Sequence, residues 1–377
     1  MKPTSSPSPK HRAIYRELKA DIVAGKHRPG ARLPSEAQLV KQHRVSRPTV
    51  ARALLDLQHE GLIQRRAGSG SFVRDAAATT ETGVRLLGLL IPGLGTTEIF
   101  EPICGEIASL ARAREFSLLW GGSTHPLHDT DASREHAEQL CHQFIERKVA
   151  GVFFAPFELT PEPEQANRRL AELLRKAGIP VVLLDRDFTP FPHRSEFDLV
   201  GVDNFAGGYL LGEHLVKLGC RRLAFVARPL SAPTVDARVA GAREAMSRHG
   251  LEPESEWAHH GDPSDMKFVR RLASPDRPEA FICANDNTAA VLMQSLERAG
   301  LRVPRDIRVV GFDDVKYATL LSVPLTTIHQ PCRDIGTVAF HAMMGRVVEP
   351  TLPVRTLTLS PRLVVRESCG AYLPRRH

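Results

Sequence analysis

Hydrophobic positions along the chain follow two regimes. Between residues 10 and 74 they recur at helical spacing. Ile14, Leu18 and Ile22 mark one face of a first helix, and Gly25 suits a left-handed end. Pro34-Ser35-Glu36 opens a second helix that runs to about His43. Ser46 caps a third, with Val50, Leu54 and Leu57 as its buried stripe and Gly61 as its stop. Two short strands follow, at 62–66 and 71–74, joined by Ala67-Gly68-Ser69-Gly70. Three helices and a two-stranded wing predict a winged helix-turn-helix over residues 10–74.

Beyond about residue 85 the pattern changes to short, unbroken apolar runs at 86–91, 116–120, 151–154, 181–184, 199–202, 223–226, 280–283 and 308–312. Helical patterns separate them, at 106–114, 135–148, 167–177, 207–218, 235–249, 288–299 and 334–344. Strand–helix alternation with continuously apolar strands predicts open parallel sheets covered by helices on both faces. The strands are too many for one small sheet. The expectation is a doubly wound α/β domain over 86–370 in two subdomains, one of about 86–188 and 332–350, the other of about 196–329 and 352–368. Ligands of such folds bind outside the carboxyl ends of the strands, in the cleft between the subdomains.

Charge divides at the same place. Residues 1–74 hold 15 Lys and Arg against 5 Asp and Glu, a net of +10, whereas the remaining residues hold 35 against 38. A small basic helical module suits a polyanion, and its geometry favours duplex DNA. Aromatic content of 6% argues against a stacking platform for single strands. The six cysteines contain no Cys-x-x-Cys pair, as expected of reduced core residues. Residues 1–9 are a Ser/Pro-rich tail without the apolar stretch of a signal peptide, and 75–85 read as a linker. No apolar run reaches the roughly 18 residues needed to span a bilayer. A cytoplasmic protein is expected.

The candidate DNA readers cluster where the third helix begins, because that end enters the major groove. Arg47 can pair with guanine or a phosphate, and Ser46 and Thr49 are short hydroxyl donors. Arg65 and Arg66 flank the wing, and Gly68, Ser69 and Gly70 let its backbone approach the sugar-phosphate closely.

In the larger segment, polar residues follow strand ends: Asp185-Arg186, Asn285-Asp286 and Asp313-Asp314, with Arg238 starting a helix and Gln330 ending the run 325–328. Carboxylates, amides and guanidinium groups suit sugar hydroxyls, which both donate and accept hydrogen bonds. Aspartates at strand–helix junctions also serve as caps. Asp203-Asn204 is read mainly that way, and either Asp313 or Asp314 can be the cap and the other the ligand group.

Two resemblances sharpen these readings. The run Pro29-Gly30-Ala31-Arg32-Leu33-Pro34-Ser35-Glu36, with Val45-Ser46-Arg47-Pro48-Thr49-Val50, Glu60-Gly61-Leu62-Ile63 and Gly68-Ser69-Gly70-Ser71-Phe72-Val73, resembles the DNA-binding domain of the GntR family. Members often carry arginine after the Pro-Ser-Glu step and after Thr-Val. Here those positions are Ala37 and Ala51, and Arg52 comes one place later, about 100° round the helix. A different operator preference is implied, with Arg52 an additional DNA contact. Val309-Val310-Gly311-Phe312-Asp313-Asp314, with Pro324-Leu325-Thr326-Thr327-Ile328-His329-Gln330-Pro331, is similar to the signature of LacI/GalR-type repressors. Their effector domains share the fold of periplasmic sugar-binding proteins. This likeness implies that Asp185, Arg186, Arg238, Asn285, Asp286, Asp313 and Gln330 line an effector cleft, together with the loop 93–100. A GntR-like head on a LacI-like sensor resembles the arabinose-repressor type of regulator.

Other chemistry is not supported. Gly93-Leu94-Gly95 is not a dinucleotide fingerprint, because Glu98 occupies the third glycine position. His125, His128, Asp129 and Asp131 read as a solvated loop, not as a metal site, and no nucleophile with a base and an orienting group can be named. The expectation is a homodimeric transcription regulator, more a repressor than an activator, that binds palindromic duplex DNA under control of a small carbohydrate, without cofactor, metal or membrane. A transport protein for sugars and an enzyme on the same scaffold are the rival readings.

Overall fold

The computed structural model describes residues 10–28, 30–59, 62–66, 70–73, 85–91, 98–121 and 130–373, so the expected tail and most of the linker lie outside it. It divides into two compact units, Met1–Gly83 and Val84–His377.

In the first unit, helices α1 (Lys10–Val23), α2 (Glu36–His43) and α3 (Arg47–His59) precede strands β1 (Ile63–Arg66) and β2 (Gly70–Val73). Gly25, at φ 74°, ends α1 in a Schellman turn, with Lys26 N–H donating to Asp21 O and Gly25 N–H to Ile22 O. Ser35 starts α2 with a reciprocal capping box to Gln38. Arg44, in the left-handed region at φ 48°, turns the chain from α2 towards α3. Ile14 and Leu18 of α1, Leu39 of α2, and Val50, Leu54 and Leu57 of α3 close one core with Leu33, Ile63 and Val73. The strands pair antiparallel, Ile63 opposite Val73. The stripes read from spacing are the faces that meet.

The second unit carries two parallel sheets. The first has six strands in the order β13-β7-β6-β5-β3-β4, from β3 (Arg85–Leu90), β4 (Phe116–Trp120), β5 (Val152–Phe154), β6 (Val181–Leu184), β7 (Asp198–Val202) and β13 (Thr356–Leu359). Helices α4 (Phe100–Ala113), α5 (Thr130–Glu146), α6 (Pro163–Lys176) and α11 (Cys332–Val348) belong with it. The second has four strands in the order β11-β10-β8-β9, from β8 (Leu223–Ala227), β9 (Ala258–His260), β10 (Ala280–Cys283) and β11 (Arg308–Val310). Its helices are α7 (Asn204–Lys217), α8 (Pro233–Arg248), α9 (Met266–Leu272) and α10 (Asp286–Arg298). A short ladder of β12 (Thr327–His329) and β14 (Arg362–Val364) lies beside it, through bridges from Val310 to Thr326 and from Asp313 to His329.

One boundary needs correction. Residues 196–202 and 352–359 were expected in the second subdomain. The strands there, β7 and β13, instead extend the first sheet, with β7 paired to β6 and β13 to β7. The chain therefore crosses between lobes at 202–204, 329–332 and 359–362. A continuously apolar strand fits either sheet equally well, so its sequence carries no signal of which one it joins. Asp198, at the start of β7, fixes this edge: its carboxylate is fully buried and accepts bonds from Arg346 and Arg355. Burial alone raises its pKa, but those bonds outweigh burial and hold it below the ordinary value.

Candidate functional site

At the start of α3 the head presents Arg47 and Arg52 to solvent. Arg47, at the first position of α3, is exposed, and its Nε lies 3.1 Å from Glu36 at the start of α2. Arg52 is exposed and pairs with Asp56 one turn on, at 3.5 Å. The hydroxyls of Ser46 and Thr49 lie 2.8 Å apart, at the same end of α3 as Arg47. Arg65 and Arg66 sit in β1 opposite Ser71 and Gly70. Gly68 and Ser69 lie outside the described residues. Gly70, at φ 109°, roots the wing; a β-carbon there would sit 2.9 Å from the Arg32 guanidinium, which covers it. Arg32 was not singled out from sequence, although it bridges Phe72 of β2.

In the second unit, two helices approach closely enough to set an arginine in place. A β-carbon on Gly208 of α7 would lie 2.0 Å from Arg238 O, and one on Gly241 of α8 would lie 2.0 Å from Phe205 O. Only glycine permits that crossing. It aims the buried Arg238 side chain at the space between the lobes. Arg238 Nε donates to Asn204 Oδ1 at 2.8 Å and an Nη donates to Ala284 O at 2.5 Å, while the guanidinium lies over the Phe312 ring at 3.6 Å. Asp313 Oδ1 is 4.0 Å from Arg238 and accepts 2.6 Å from Gln330 Nε2.

The first lobe adds Asp185 and Arg186, directly after β6. Arg186 pairs with Glu158 on the loop after β5, approaches Asp185 at 3.6 Å, and lies over the Phe100 ring at 5.3 Å. Asp185, Arg186, Arg238, Asp313 and Gln330 are all at most 8% exposed. Both Asp185 (φ 67°) and Asp313 (φ 116°) occupy the left-handed region, a strained backbone of the kind that accompanies ligand sites. Three deeply buried atoms of this group have no hydrogen-bond partner among the described residues: Asp185 Oδ1, Arg186 Nε and Gln330 Oε1. Burial pushes the Asp313 carboxyl up to about 7, against the pull of Arg238, and also raises Asp185.

Two expected members are placed otherwise. Asp286 is fully buried, but its carboxylate is spent within the second lobe. It accepts from Thr327 Oγ1 at 2.6 Å and from Val315 N–H at 3.0 Å, which ties β12 and the turn after β11 to α10. It is a structural latch, because both oxygens are already taken. Asn285 caps α10 by accepting from Thr288 N–H at 2.8 Å. The open choice between Asp313 and Asp314 also resolves. Asp314 turns to Arg366 and His329, at 2.5 and 2.9 Å, and Asp313 faces the cluster. Asp203 caps α7.

Sequence reading missed Glu158, Asn204 and Phe312. Glu158 stands in an acidic, proline-rich stretch where nothing marks one carboxylate above another. Phe100 is buried at the start of α4, beneath Arg186. His125, His128 and Asp129 lie outside the described residues, and among those described no group of three or more His, Cys, Asp or Glu could hold a metal ion.

The lobes touch at the rim as well. Leu159 N–H donates to Leu230 O at 2.8 Å, and Lys316 approaches Glu101 at 3.9 Å. A winged helix-turn-helix joined to a two-lobed parallel α/β receptor defines the class of ligand-responsive DNA-binding regulators.

Comparisons with known proteins agree. Residues 10–73 match the model of bacterial regulatory proteins of the gntR family, and residues 213–369 match that of the periplasmic binding protein-like domain. The chain is 27% identical over 373 residues to the arabinose metabolism transcriptional repressor of Geobacillus stearothermophilus, covering 96% of this chain and 97% of that one. It is 32% identical over 265 residues to the ribose operon repressor of Escherichia coli K12, covering 69% and 77%. A solved structure of a putative ribose operon repressor from Burkholderia thailandensis superposes with a TM-score of 0.62 at 26% identity, covering 75% of this chain and 99% of that one. The chain belongs to the LacI-type family of transcriptional repressors, with a gntR-type DNA-binding domain as its head. Among the described residues no helix is long and apolar enough to cross a membrane.

Proposed function

We propose that the chain is a cytoplasmic, homodimeric repressor that releases a palindromic operator when a small carbohydrate occupies the space between its lobes, and that it performs no catalysis. In this reading residues 10–74 form the head, 75–85 the linker and 86–370 the sensor. Ser46, Arg47, Thr49, Arg52, Arg65, Arg66 and the wing Gly68-Ser69-Gly70 face DNA. Asp185, Arg186, Arg238, Asp313 and Gln330 hold the sugar. The observation that carries the reading is the convergence of the unpartnered atoms Asp185 Oδ1, Arg186 Nε and Gln330 Oε1 at the lobe interface. A buried polar atom without a partner is expensive, and a hydroxyl that supplies the missing bond recovers that energy. Relatives include repressors named for arabinose and ribose, alongside others named PurR, and the hydroxyl-matching atoms of this site favour the sugar.

The regulatory step follows from unequal affinity. A sugar that bridges both lobes binds the closed receptor better than the open one, and shifts the population accordingly. Coupling of about 1–3 kcal/mol changes operator affinity about 5–150-fold. The test titrates full-length protein onto a set of duplexes by fluorescence anisotropy at several salt concentrations, then adds monosaccharides. Salt-sensitive, sequence-selective binding that a sugar reverses is expected. Absence of salt-sensitive affinity for any duplex overturns the regulator reading.

A further inference from the structure

We propose that the interlobe site accepts only uncharged, hydroxyl-bearing rings, and that Glu158 enforces this exclusion of anions. The inference rests on the sugar reading of the site and narrows it by charge.

Among the described residues of this buried cluster, three carboxyl groups, Glu158, Asp185 and Asp313, meet two guanidinium groups, Arg186 and Arg238. Each guanidinium is held in place by its neighbours. Arg186 lies between Glu158 and Asp185, with its second face on Phe100. Arg238 is held by Asn204, Ala284 O and Asp313, with its face on Phe312. The Arg186 and Arg238 side chains are only 7% and 6% exposed, so water screens them little.

The free atoms point the same way. Of the fully buried atoms without a partner among the described residues, Asp185 Oδ1 and Gln330 Oε1 are acceptors and Arg186 Nε is a donor. Two neighbouring hydroxyls satisfy all three, because each donates one proton and also accepts. A carboxylate or phosphate on the ligand supplies no proton to the two acceptors. It also adds negative charge beside carboxyl groups that already outnumber the guanidinium groups, where burial holds Asp313 partly neutral, and in a buried site that repulsion is strong. The aromatic faces nearest the cluster, Phe100 and Phe312, are covered by guanidinium groups, which leaves neither free to stack a flat base.

Glu158 is the member that tips this balance. It stands on the loop carrying Leu159, whose N–H reaches Leu230 O on the other lobe. Of the three carboxylates it is the most exposed, at 21%, and it occupies the Arg186 fork that an anion otherwise takes. Replacing it by glutamine keeps the shape but removes the negative charge that competes with an anion for that fork.

The test uses full-length protein and isothermal titration with paired probes: D-galactose against D-galacturonate, D-ribose against D-ribose 5-phosphate, and L-arabinose against L-arabinonate. For whichever neutral sugar binds, its charged partner is expected to bind at least about 50-fold more weakly. In Glu158→Gln that ratio narrows at least about tenfold. Glu158→Asp keeps the charge and the wild-type ratio. Equal binding of a charged probe and its neutral parent by the wild type overturns the proposal and leaves the sugar reading intact. An unchanged ratio in Glu158→Gln overturns the role of Glu158. Binding of none of the neutral probes, while salt-sensitive DNA binding persists, overturns the proposal together with the sugar reading on which it rests.

Discussion

The head and the interlobe site both rely on arginine and carboxylate, yet they use them in opposite ways. On the head, Arg47 and Arg52 stand in water, each beside one acid, Glu36 and Asp56. Exposed pairs of this kind contribute little to stability. Their acids act as counterions that a phosphate replaces, so the contacts are long-ranged and salt-dependent. Between the lobes, Arg186, Arg238, Asp185 and Asp313 are buried, and Arg238 and Asp313 are also interlocked with the neutral Asn204 and Gln330. There desolvation makes each unmatched group costly, and selectivity arises from that cost. On the proposed reading, one unit recognises a polyanion by surplus charge, and the other recognises hydroxyls by leaving a few buried atoms unmatched.

The largest effect separating the two regions is expected from Arg238→Ala. Removing the guanidinium strips Asn204 Oδ1 and Ala284 O of their donor and leaves buried Asp313 without its arginine. Breaking a buried pair costs about 3–5 kcal/mol. Both tryptophans, Trp120 and Trp257, lie in the second unit, so urea melting followed by their fluorescence reports that unit. A loss below about 1 kcal/mol contradicts the interlocked picture.

Asp313→Asn comes next. It turns one of the two acceptor oxygens into an NH2 donor and removes the charge that a sugar hydroxyl would face, and an effect of about 100-fold on sugar affinity is expected while DNA binding persists. The same variant tests burial through pH. Burial raises the Asp313 carboxyl from an ordinary 3.8 to about 7, so the folded receptor binds this proton more tightly than the unfolded chain. Its stabilising contribution is therefore complete below about pH 3.8 and is lost as pH rises through about 7. Asp198, held low by Arg355 and Arg346 against the effect of burial, acts in the opposite sense and loses its contribution as pH falls through its lowered pKa. Ligand-free Asp313→Asn should melt with a flatter decline between pH 5 and 7 than the wild type. An unaltered decline assigns the titration to another group.

What could be read in advance follows the same division. The head was legible almost residue by residue, because its signals are local: Ser35 before α2, Gly25 after α1, and the stripe of Val50, Leu54 and Leu57. The receptor strands were legible as apolar runs, but β7 and β13 went to the wrong lobe because sheet membership depends on partners far away in sequence. Strand-end motifs pointed to Asp185, Arg238, Asp313 and Gln330. They pointed equally to Asp286, whose oxygens are taken by Thr327 and Val315 from other elements. Glu158 was illegible for the converse reason: its partner Arg186 comes from the next strand end, and its own neighbours are ordinary acidic residues.

On the head the expected losses are smaller. Arg47→Ala weakens operator binding by about 1–3 kcal/mol if the guanidinium reads a base edge, and selectivity relaxes with it, while sugar affinity is unchanged. Equal losses on operator and scrambled duplex move Arg47 to the phosphate backbone. Arg52→Ala is expected to have the smallest effect. Arg52 already has Asp56 at 3.5 Å, and it stands about 100° round α3 from Ala51, where relatives of this head often carry arginine. A phosphate contact is the role that fits this offset position. Its removal should weaken operator and scrambled duplex alike, by a few-fold, and reduce the slope of log affinity against log salt by about 0.9. Asp56→Asn then acts in reverse, because it frees Arg52 from its counterion and tightens both duplexes slightly. A loss in Arg52→Ala confined to the operator would place that side chain on a base edge, and the head would then read sequence from two separate faces of α3.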